Sequence, residues 1–282
     1  MGERAEARTI DVVMRCRNEM PWAEKALEAL RSQHAARAEL LVIDCGSTDG
    51  SRECAVRHGA RVIDVDPKSY IPGAVLNMGM RETRGELVAF INADAIALDP
   101  YALEALIEPM LEDPSVAAAY GRQVARREAD PWMRADTERA FGASDAGRTR
   151  HGAFFSMAAS VVRRSWWQRL AFDEALRYSE DVDWTHRVRA LGARVRYAPE
   201  ARFEHSHNYD LRAQFRRRRG EGAADTKIFG LASPSLVREA LRPLLGALVR
   251  DARAGVASPY GVATRVAQAS GYLVGRARGF ES

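Results

Sequence analysis

Short apolar runs alternate with longer amphipathic stretches along the first hundred residues. The longer stretches space their apolar residues as one face of a helix does, and two of them end at Gly59 and Gly85. The apolar runs are rich in Val and Ile, as strands buried on both faces tend to be. They cover residues 9–15, 39–44, 61–65 and 87–92, and the clearest helical stretches cover residues 22–33 and 72–84. This alternation predicts a doubly wound, mostly parallel α/β sheet with right-handed crossovers.

The second half of the chain continues the pattern less regularly. Residues 125–150 are polar and predict a long loop or a pair of short helices that covers a site. Residues 194–205 predict two strands broken at Pro199, and Ser179 is the predicted N-cap of a helix that Gly192 ends. The remaining predictions are helices over 99–112, 165–170 and 178–191, a strand over 116–124 and an apolar segment over 152–162.

The residues beyond 231 predict a helical tail with two amphipathic stretches. Seven arginines and three acids lie between Ser233 and Ser282, so the tail is locally basic. Packing of its Leu and Val face on the core is the simpler expectation. Contact with a membrane surface or with a partner protein is the alternative.

Composition narrows the classes of function. The chain has 282 residues, 46% of them hydrophobic, which is enough for one large core. Its net charge of +4 is too small to predict nucleic-acid binding, and the four arginines at 216–219 are expected to face solvent, with phosphate binding as the alternative. Three cysteines without CxxC spacing suit a reducing compartment. There is no apolar signal segment and no run of roughly 20 apolar residues, so we expect a cytoplasmic protein.

Polar residues follow each of the first four predicted strands. In a doubly wound sheet the ligand lies in the crevice beyond the carboxyl ends of the strands, so these residues mark a candidate site. Neither GxGxxG nor GxxxxGK[ST] occurs at these turns, which argues against a nicotinamide enzyme and a P-loop NTPase. The polar residues are Asn18 and Glu19, Asp44, Asp66, and finally Asn92 and Asp94.

Five segments in this order and spacing resemble family 2 of the glycosyltransferases, which has the GT-A fold. The resemblance covers residues 8–225 and is greatest to bacterial rhamnosyltransferase-like members, in which an HSH pair follows the EDxDW helix. It implies a nucleotide-binding half in residues 1–100, an acceptor and catalytic half in 101–230, and a separate tail in 231–282. The segments are VVMRCRNE, ELLVIDCGSTDGS, PGAVLNMGMRETRGELVAFINADAIALDP, FDEALRYSEDVDWTHRVRALG and ARFEHSHNY.

The resemblance implies a divalent cation that neutralises the diphosphate of a sugar nucleotide. Asn92-Ala93-Asp94 matches the DxD position of the family, and alternation along an extended segment would turn Asn92 and Asp94 to the same ligand. Because the first acid is replaced by Asn92, we expect Asp94 to do most of the coordination. His205, with His207 as the second choice, would add an imidazole. Oxygen ligands with one imidazole favour Mn2+ or Mg2+.

The resemblance also assigns the ED pair at the start of the 178–191 helix. Asp181 would be the general base of an inverting transfer, and Glu180 an acceptor contact. Acids in the first turn of a helix also complement its dipole without any active site. Trp184 would lie in the core or form a platform for a sugar, and Arg187 would face the diphosphate or solvent.

The nucleotide is expected on the first two strand ends. Asn18, Glu19 and Asp44 match family positions that contact the base and ribose, while Asp49 is expected to cap or brace the following helix. Cys45 replaces an acid that faces the base in some members, which leaves UDP, dTDP and GDP donors open.

We therefore predict a metal-dependent, inverting glycosyltransferase that transfers a sugar to a hydroxyl of a glycan or lipid-linked acceptor. A catalytically silent binding protein of the same fold is one alternative. A sugar-nucleotide pyrophosphorylase is the other, although the segment RCRNEMPW lacks the Gly-rich, basic loop that such an enzyme carries after its first strand.

Overall fold

A computed structural model describes residues 10–35, 37–143 and 154–279. Its strands form one eight-stranded sheet in the order β3-β2-β1-β4-β7-β6-β8-β5. Strands β7 and β5 run antiparallel to their neighbours, and the other pairs are parallel. The strands are β1 (Ile10–Cys16), β2 (Arg37–Asp44), β3 (Arg61–Asp64), β4 (Leu87–Ile91), β5 (Ile96–Ala97), β6 (Val116–Val124), β7 (Ala159–Arg163) and β8 (Arg194–Glu204).

Helices cover both faces of this sheet. Alternate residues of β1 enter two separate cores, with Val12 and Met14 in one and Val13 in the other, which is why the strand reads as a continuous apolar run. The helices are α1 (Trp22–Arg31), α2 (Ser51–Arg57), α3 (Pro72–Glu82), α4 (Ala102–Glu112), α5 (Pro131–Ala140), α6 (Arg164–Arg169), α7 (Glu180–Ala190), α8 (Leu211–Phe229), α9 (Arg242–Arg253) and α10 (Pro259–Arg278). A π-helical turn, Val237–Leu241, leads directly into α9.

The predicted alternation of strands and helices is confirmed, and two local predictions need correction. The segment 194–205 is one strand: its pairing with β6 passes from Ala198 to Arg202, so the residues between them form a bulge at Pro199. Ser179 stands at the N-cap position of α7, but it has a φ of 59° and its side chain makes no capping hydrogen bond. The described part of the polar segment 125–150 contains helix α5, and residues 144–153 lie outside the described residues, so the choice between a long loop and a pair of short helices stays a prediction.

The tail differs from the simpler expectation. Helix α10 packs along α8, whereas the Leu and Val side chains of the α9 region are largely exposed, so that face does not pack on the core. The boundary at residue 230 stays a prediction. Among the described residues no helix combines the length and apolar character needed to cross a bilayer.

Glycines set the distance between α8 and α10. A Cβ built on Gly275 would lie 1.9 Å from the carbonyl oxygen of Arg219, and one on Gly271 would lie 2.4 Å from that of Phe215. A Cβ built on Gly222 of α8 would likewise lie 2.4 Å from the carbonyl oxygen of Tyr272. The two backbones therefore approach so closely that no side chain fits between them at these points.

We expect Gly275→Ala to lower the free energy of unfolding by about 1–3 kcal/mol, because the added methyl group forces α10 away from α8. Gly246→Ala in α9 is the control. Its Cβ would meet only the flexible Arg250 guanidinium, at 3.2 Å, so the gain in helix propensity of about 1 kcal/mol leaves stability equal or higher. Urea unfolding of both variants tests this, and equal midpoints would contradict the close packing.

Candidate active site

A tight turn after β4 presents the first candidate residues. The amide of Ala95 donates to the carbonyl of Asn92, and the amide of Ala93 donates to the carbonyl of Arg15 on the neighbouring strand. The extended geometry predicted for residues 92–94 is wrong, because the segment is a turn. The side-chain oxygen of Asn92 instead accepts a hydrogen bond from Arg15, at 3.2 Å.

Asp94 lies in a buried cluster with two histidines. The Nε2 atoms of His205 and His207 lie 3.4 Å from its Oδ1 and Oδ2 atoms, respectively, and the potential ligand atoms of the three residues all fall within 4.8 Å of one another. The sheet explains the convergence: Ile96, two residues after Asp94, pairs with Glu204, the last residue before His205. The fold thus brings together residues that are more than a hundred positions apart.

Hydrogen bonds orient the His205 ring. Its Nδ1 lies 2.8 Å from Oε1 of Gln123, whose amide nitrogen donates to Ser156 at 2.6 Å. In this arrangement Nδ1 carries the proton and the lone pair of Nε2 points towards Asp94. His207 stacks on Tyr209, with ring centroids 5.0 Å apart.

The electrostatics of the cluster suit a cation. Burial raises the pKa of Asp94, but its close neighbours His205, His207 and Arg126 lower it to about 2. Burial lowers the pKa of His207 to about 4. At neutral pH these two residues therefore present a carboxylate and a neutral imidazole, the forms that bind metals. Asp94 Oδ2 and His205 Nε2 are buried without a hydrogen-bond partner, so this donor set fits a divalent ion.

Asn18 and Glu19 lie beside this cluster, at the entrance to α1. With Asp94, His207 and Tyr209 they line a cavity of about 360 Å3. Burial and the charge of Asp94 raise the pKa of Glu19 to about 7. Oδ1 of Asn18 accepts a hydrogen bond from the amide of Thr48, and thereby joins the first two strand ends.

Asp44 ends β2 in the same region. Its Oδ1 accepts hydrogen bonds from the amides of Gly46 and Ser47, while Oδ2 is buried without a partner. The bracing role predicted for Asp49 is confirmed, because it accepts hydrogen bonds from the amides of Ser51 and Met20. One oxygen of Asp44 is thus left for a ligand such as a ribose hydroxyl.

The start of α7 forms the other side of the site. The two oxygens of Asp181 accept hydrogen bonds from the amides of Met157, at 3.2 Å, and Val182, at 2.8 Å. Burial and then the Glu180 carboxylate raise the pKa of Asp181 above its usual range. Glu180 itself pairs with Arg15 at 3.1 Å. Asp181 and His205 both line a cavity of about 1840 Å3, so the histidine pair stands between this cavity and the smaller one.

Comparison with known proteins agrees with this geometry. The model of the family "Glycosyl transferase family 2" matches residues 11–171. The chain belongs to glycosyltransferase family 2. Membership makes it an enzyme that uses nucleoside-diphosphate sugars, which favours sugar transfer over both the silent binding protein and the pyrophosphorylase considered above.

Two curated relatives are O-antigen chain rhamnosyltransferases. The chain is 27% identical to WbaN of Salmonella anatum over 221 residues, which cover 75% of this chain and 68% of that protein. It is 29% identical to RfbN of Salmonella typhimurium over 226 residues, which cover 76% of this chain and 69% of that protein. This family 2 glycosyltransferase is therefore similar to bacterial rhamnosyltransferases, as the motifs predicted.

Solved structures share the fold. The mannosyltransferase PcManGT of Pyrobaculum calidifontis, in complex with GDP-Man and Mn2+, matches with a TM-score of 0.62 and 20% identity over 92% of this chain and 73% of its own. Glucosyl-3-phosphoglycerate synthase of Mycobacterium tuberculosis, in complex with Mn2+, UDP-glucose and phosphoglyceric acid, gives 0.59 and 21% over 80% of this chain and 81% of its own. At these identities they confirm the GT-A fold of the family 2 chain.

Two sequence-predicted site residues do not lie in the site. Trp184 is fully buried, donates its Nε1 proton to the carbonyl of Leu170 and stacks near Phe172, so it belongs to the core and forms no sugar platform. Arg187 pairs with Asp183 at 2.6 Å and donates to the carbonyl of Ala171. It is therefore not directed at a diphosphate in this structure.

Three site residues were missed by the sequence analysis. Arg126 lies 3.7 Å from Asp94 and stacks over the ring of Trp22 at 3.9 Å. Gln123 orients His205. Arg15 links Glu180 to Asn92. Of the three, only Arg15 could have been recognised from the sequence, because it is a charged residue at the end of an apolar strand. The other two lie at the end of β6 and just beyond it, in positions that no pattern distinguishes.

We expect Asp94→Asn to abolish binding of Mn2+ in the presence of nucleoside diphosphate, and Gln123→Ala to weaken it about 10–100-fold, because His205 loses the bond that fixes its ring. Gln33→Ala removes a comparable hydrogen-bonding side chain far along the chain from the cluster and serves as the control. Electron paramagnetic resonance of Mn2+ measures the affinity. Unchanged binding by Asp94→Asn would place the cation elsewhere.

Proposed function

We propose that this glycosyltransferase is metal-dependent and inverting, and that it transfers a sugar from a nucleoside diphosphate to a hydroxyl of a glycan or lipid-linked acceptor. The observation that carries the proposal is the position of the Asp94, His205 and His207 cluster between two cavities. One cavity adjoins the nucleotide-side residues Asn18 and Glu19, and the other contains Asp181 in its wall.

Asp94, His205 and His207 would hold the cation, Mn2+ or Mg2+. When bound, the ion supplies positive charge that stabilises the diphosphate leaving group. Gln123 holds Nδ1 of His205 by a hydrogen bond and so directs its Nε2 towards the cation. Arg126 keeps a second positive charge beside Asp94 and holds the turn by donating to its backbone carbonyl, at 2.5 Å.

Asp181 is the proposed base. Two backbone amides hold its carboxylate in place, and its remaining lone pairs can accept the proton of the acceptor hydroxyl as that oxygen attacks the anomeric carbon. A raised pKa makes the carboxylate a better proton acceptor near neutral pH. Deprotonation of the attacking hydroxyl by a single base supports one displacement step, which inverts the anomeric centre.

Glu180 has a different proposed role from the acceptor contact predicted above. Its carboxylate is buried and engaged by Arg15, which also bonds Asn92 beside the metal cluster. Arg15 thus ties the start of α7 to the turn that carries Asp94. Glu180 is on this basis a positioning residue that sets the place of Asp181 relative to the cation site.

The donor nucleotide is assigned to the smaller cavity. Glu19, whose pKa is raised, lies in the wall of this cavity, and Asp44 offers a free oxygen at the neighbouring end of β2. Both support contacts to hydrogen-bond donors of the base and ribose. UDP, dTDP and GDP all remain candidate carriers, and the rhamnosyltransferase relatives support a role in polysaccharide synthesis. Release of nucleoside diphosphate from a panel of these sugars with Mn2+ identifies the donor.

We expect Asp181→Asn to bind donor and Mn2+ normally and to lose about 10²–10⁴-fold in kcat, because the acceptor hydroxyl has no base. Asp183→Asn is the matched control: it alters a carboxylate two residues away that pairs with Arg187 outside the cavity. Donor affinity by calorimetry and transfer by product release separate the two effects. Substantial turnover in Asp181→Asn would rule out this base.

The pH dependence of kcat/KM tests the influence of Glu180. Since the base must be deprotonated, the rate should fall as pH drops through the raised pKa of Asp181. Glu180→Gln removes the neighbouring negative charge and so lowers that pKa, which moves the acid limb of the profile to lower pH. An acid limb that stays in place would show that another group controls it.

A further inference from the structure

The α9 region exposes a row of large apolar side chains. Val237, Leu241, Leu245 and Val249 are spaced four residues apart, so they follow one line along the helix surface, and they are 62%, 44%, 62% and 48% exposed. Leu236, 57% exposed, lies next to the first of them. We call these five residues the apolar ridge. Single apolar residues scattered over a surface are common, but five large ones in a continuous row form an exposed apolar patch that calls for an explanation.

Buried ion pairs hold the ridge outward. On the opposite side of the same segment, Glu239 and Asp251 are 3% and 5% exposed and pair with Arg276, at 3.0 Å, and Arg265, at 2.7 Å, on α10. Rotation of the segment to bury its apolar row would break both ion pairs and leave their charges buried without a partner. The exposure of the ridge is therefore a consequence of how the segment is anchored.

The exposed surface beside the ridge carries positive charge only. Glu239 and Asp251 are the only acids between residues 237 and 253, and both are buried. Arg242 and Arg250, one position after ridge residues Leu241 and Val249, line the large cavity that also contains Asp181. In the part of the chain that the structure describes, neither arginine forms an ion pair. The rim of the cavity is thus apolar on its outer side and cationic on its inner side.

We propose that the apolar ridge docks this enzyme on an anionic lipid surface, with the adjacent arginines at the level of the phosphate headgroups. Apolar side chains along one line of a helix with arginines next to them form the pattern of a helix that lies in a membrane interface. A second copy of the chain fits less well, because a symmetric contact would bring the same arginines face to face. The position of the ridge on the cavity rim would open the cavity towards the lipid.

Flotation of the full chain with vesicles tests the docking. Wild type should bind vesicles of phosphatidylcholine with phosphatidylglycerol, bind phosphatidylcholine alone weakly, and detach at high salt. Leu241→Glu/Leu245→Glu should reduce binding at least about tenfold, because two charges enter the ridge. Val56→Glu/Leu191→Glu is the control, with the same chemistry at two residues that are 52% and 53% exposed on α2 and after α7. Equal loss in both double variants, or no preference for anionic vesicles, would overturn the proposal.

Two further measurements separate the remaining outcomes. Analytical ultracentrifugation measures whether the wild type is a dimer that Leu241→Glu/Leu245→Glu converts to a monomer. That result, together with no binding of the wild type to vesicles, would overturn the lipid proposal and show that a second copy of the chain covers the ridge. Slow hydrolysis of the donor in solution should be equal in wild type and in this variant, which also shows that the variant is folded. Absence of hydrolysis in wild type with intact vesicle binding would refute the proposed function and leave the docking surface standing.

Discussion

A carboxylate buried at the end of a strand requires positive charge around it, and Asp94 is such a carboxylate. Much of the surrounding structure serves this requirement. Arg126, itself 5% exposed, reaches the carboxylate, the backbone carbonyl of Asp94 and the carbonyl of Ser206, and stacks on Trp22. One side chain thus joins the turn after β4, the end of β8 and the start of α1. The two histidines face the same carboxylate, with their Nε2 atoms 3.4 Å from its oxygens.

Unsatisfied polar atoms collect at this edge of the sheet. Asp44 Oδ2, Asp94 Oδ2 and His205 Nε2 are buried without a hydrogen-bond partner, and they lie at the end of β2 and just beyond β4 and β8. Each such atom costs about 1–3 kcal/mol when it stays unpaired. A protein selected for stability alone would fill these positions differently. Their grouping supports the site proposed above, because Asp44 can accept a hydrogen bond from a ligand hydroxyl while Asp94 and His205 offer lone pairs to a cation.

The elements that the sequence predicts well are those whose pattern is local. Strands β1 to β4 are buried on both faces, so their composition alone marks them, and the acid at the end of β4 could be recognised from its neighbours. Arg126 and Gln123 could not, because their roles arise from contacts with residues about 30 to 80 positions away. Trp184 is the opposite case, because its motif predicts a functional role whereas its side chain is buried in the core. The extended geometry predicted for residues 92–94 fails because a backbone hydrogen bond between Asn92 and Ala95 closes a turn there.

The tail illustrates how close packing can leave a helix face unused. Helix α10 contributes to the interior through backbone contact at its glycines and through Arg265 and Arg276, whose charges are compensated by acids of the α9 region. These ion pairs fix how the α9 region lies against α10, because breaking either one would leave a charge buried without a partner. Because the orientation is set by charge, the leucines and valines of α9 are not needed in the core. The four-residue spacing of the exposed residues Val237, Leu241, Leu245 and Val249 then requires another cause, and an apolar environment outside the protein would supply one.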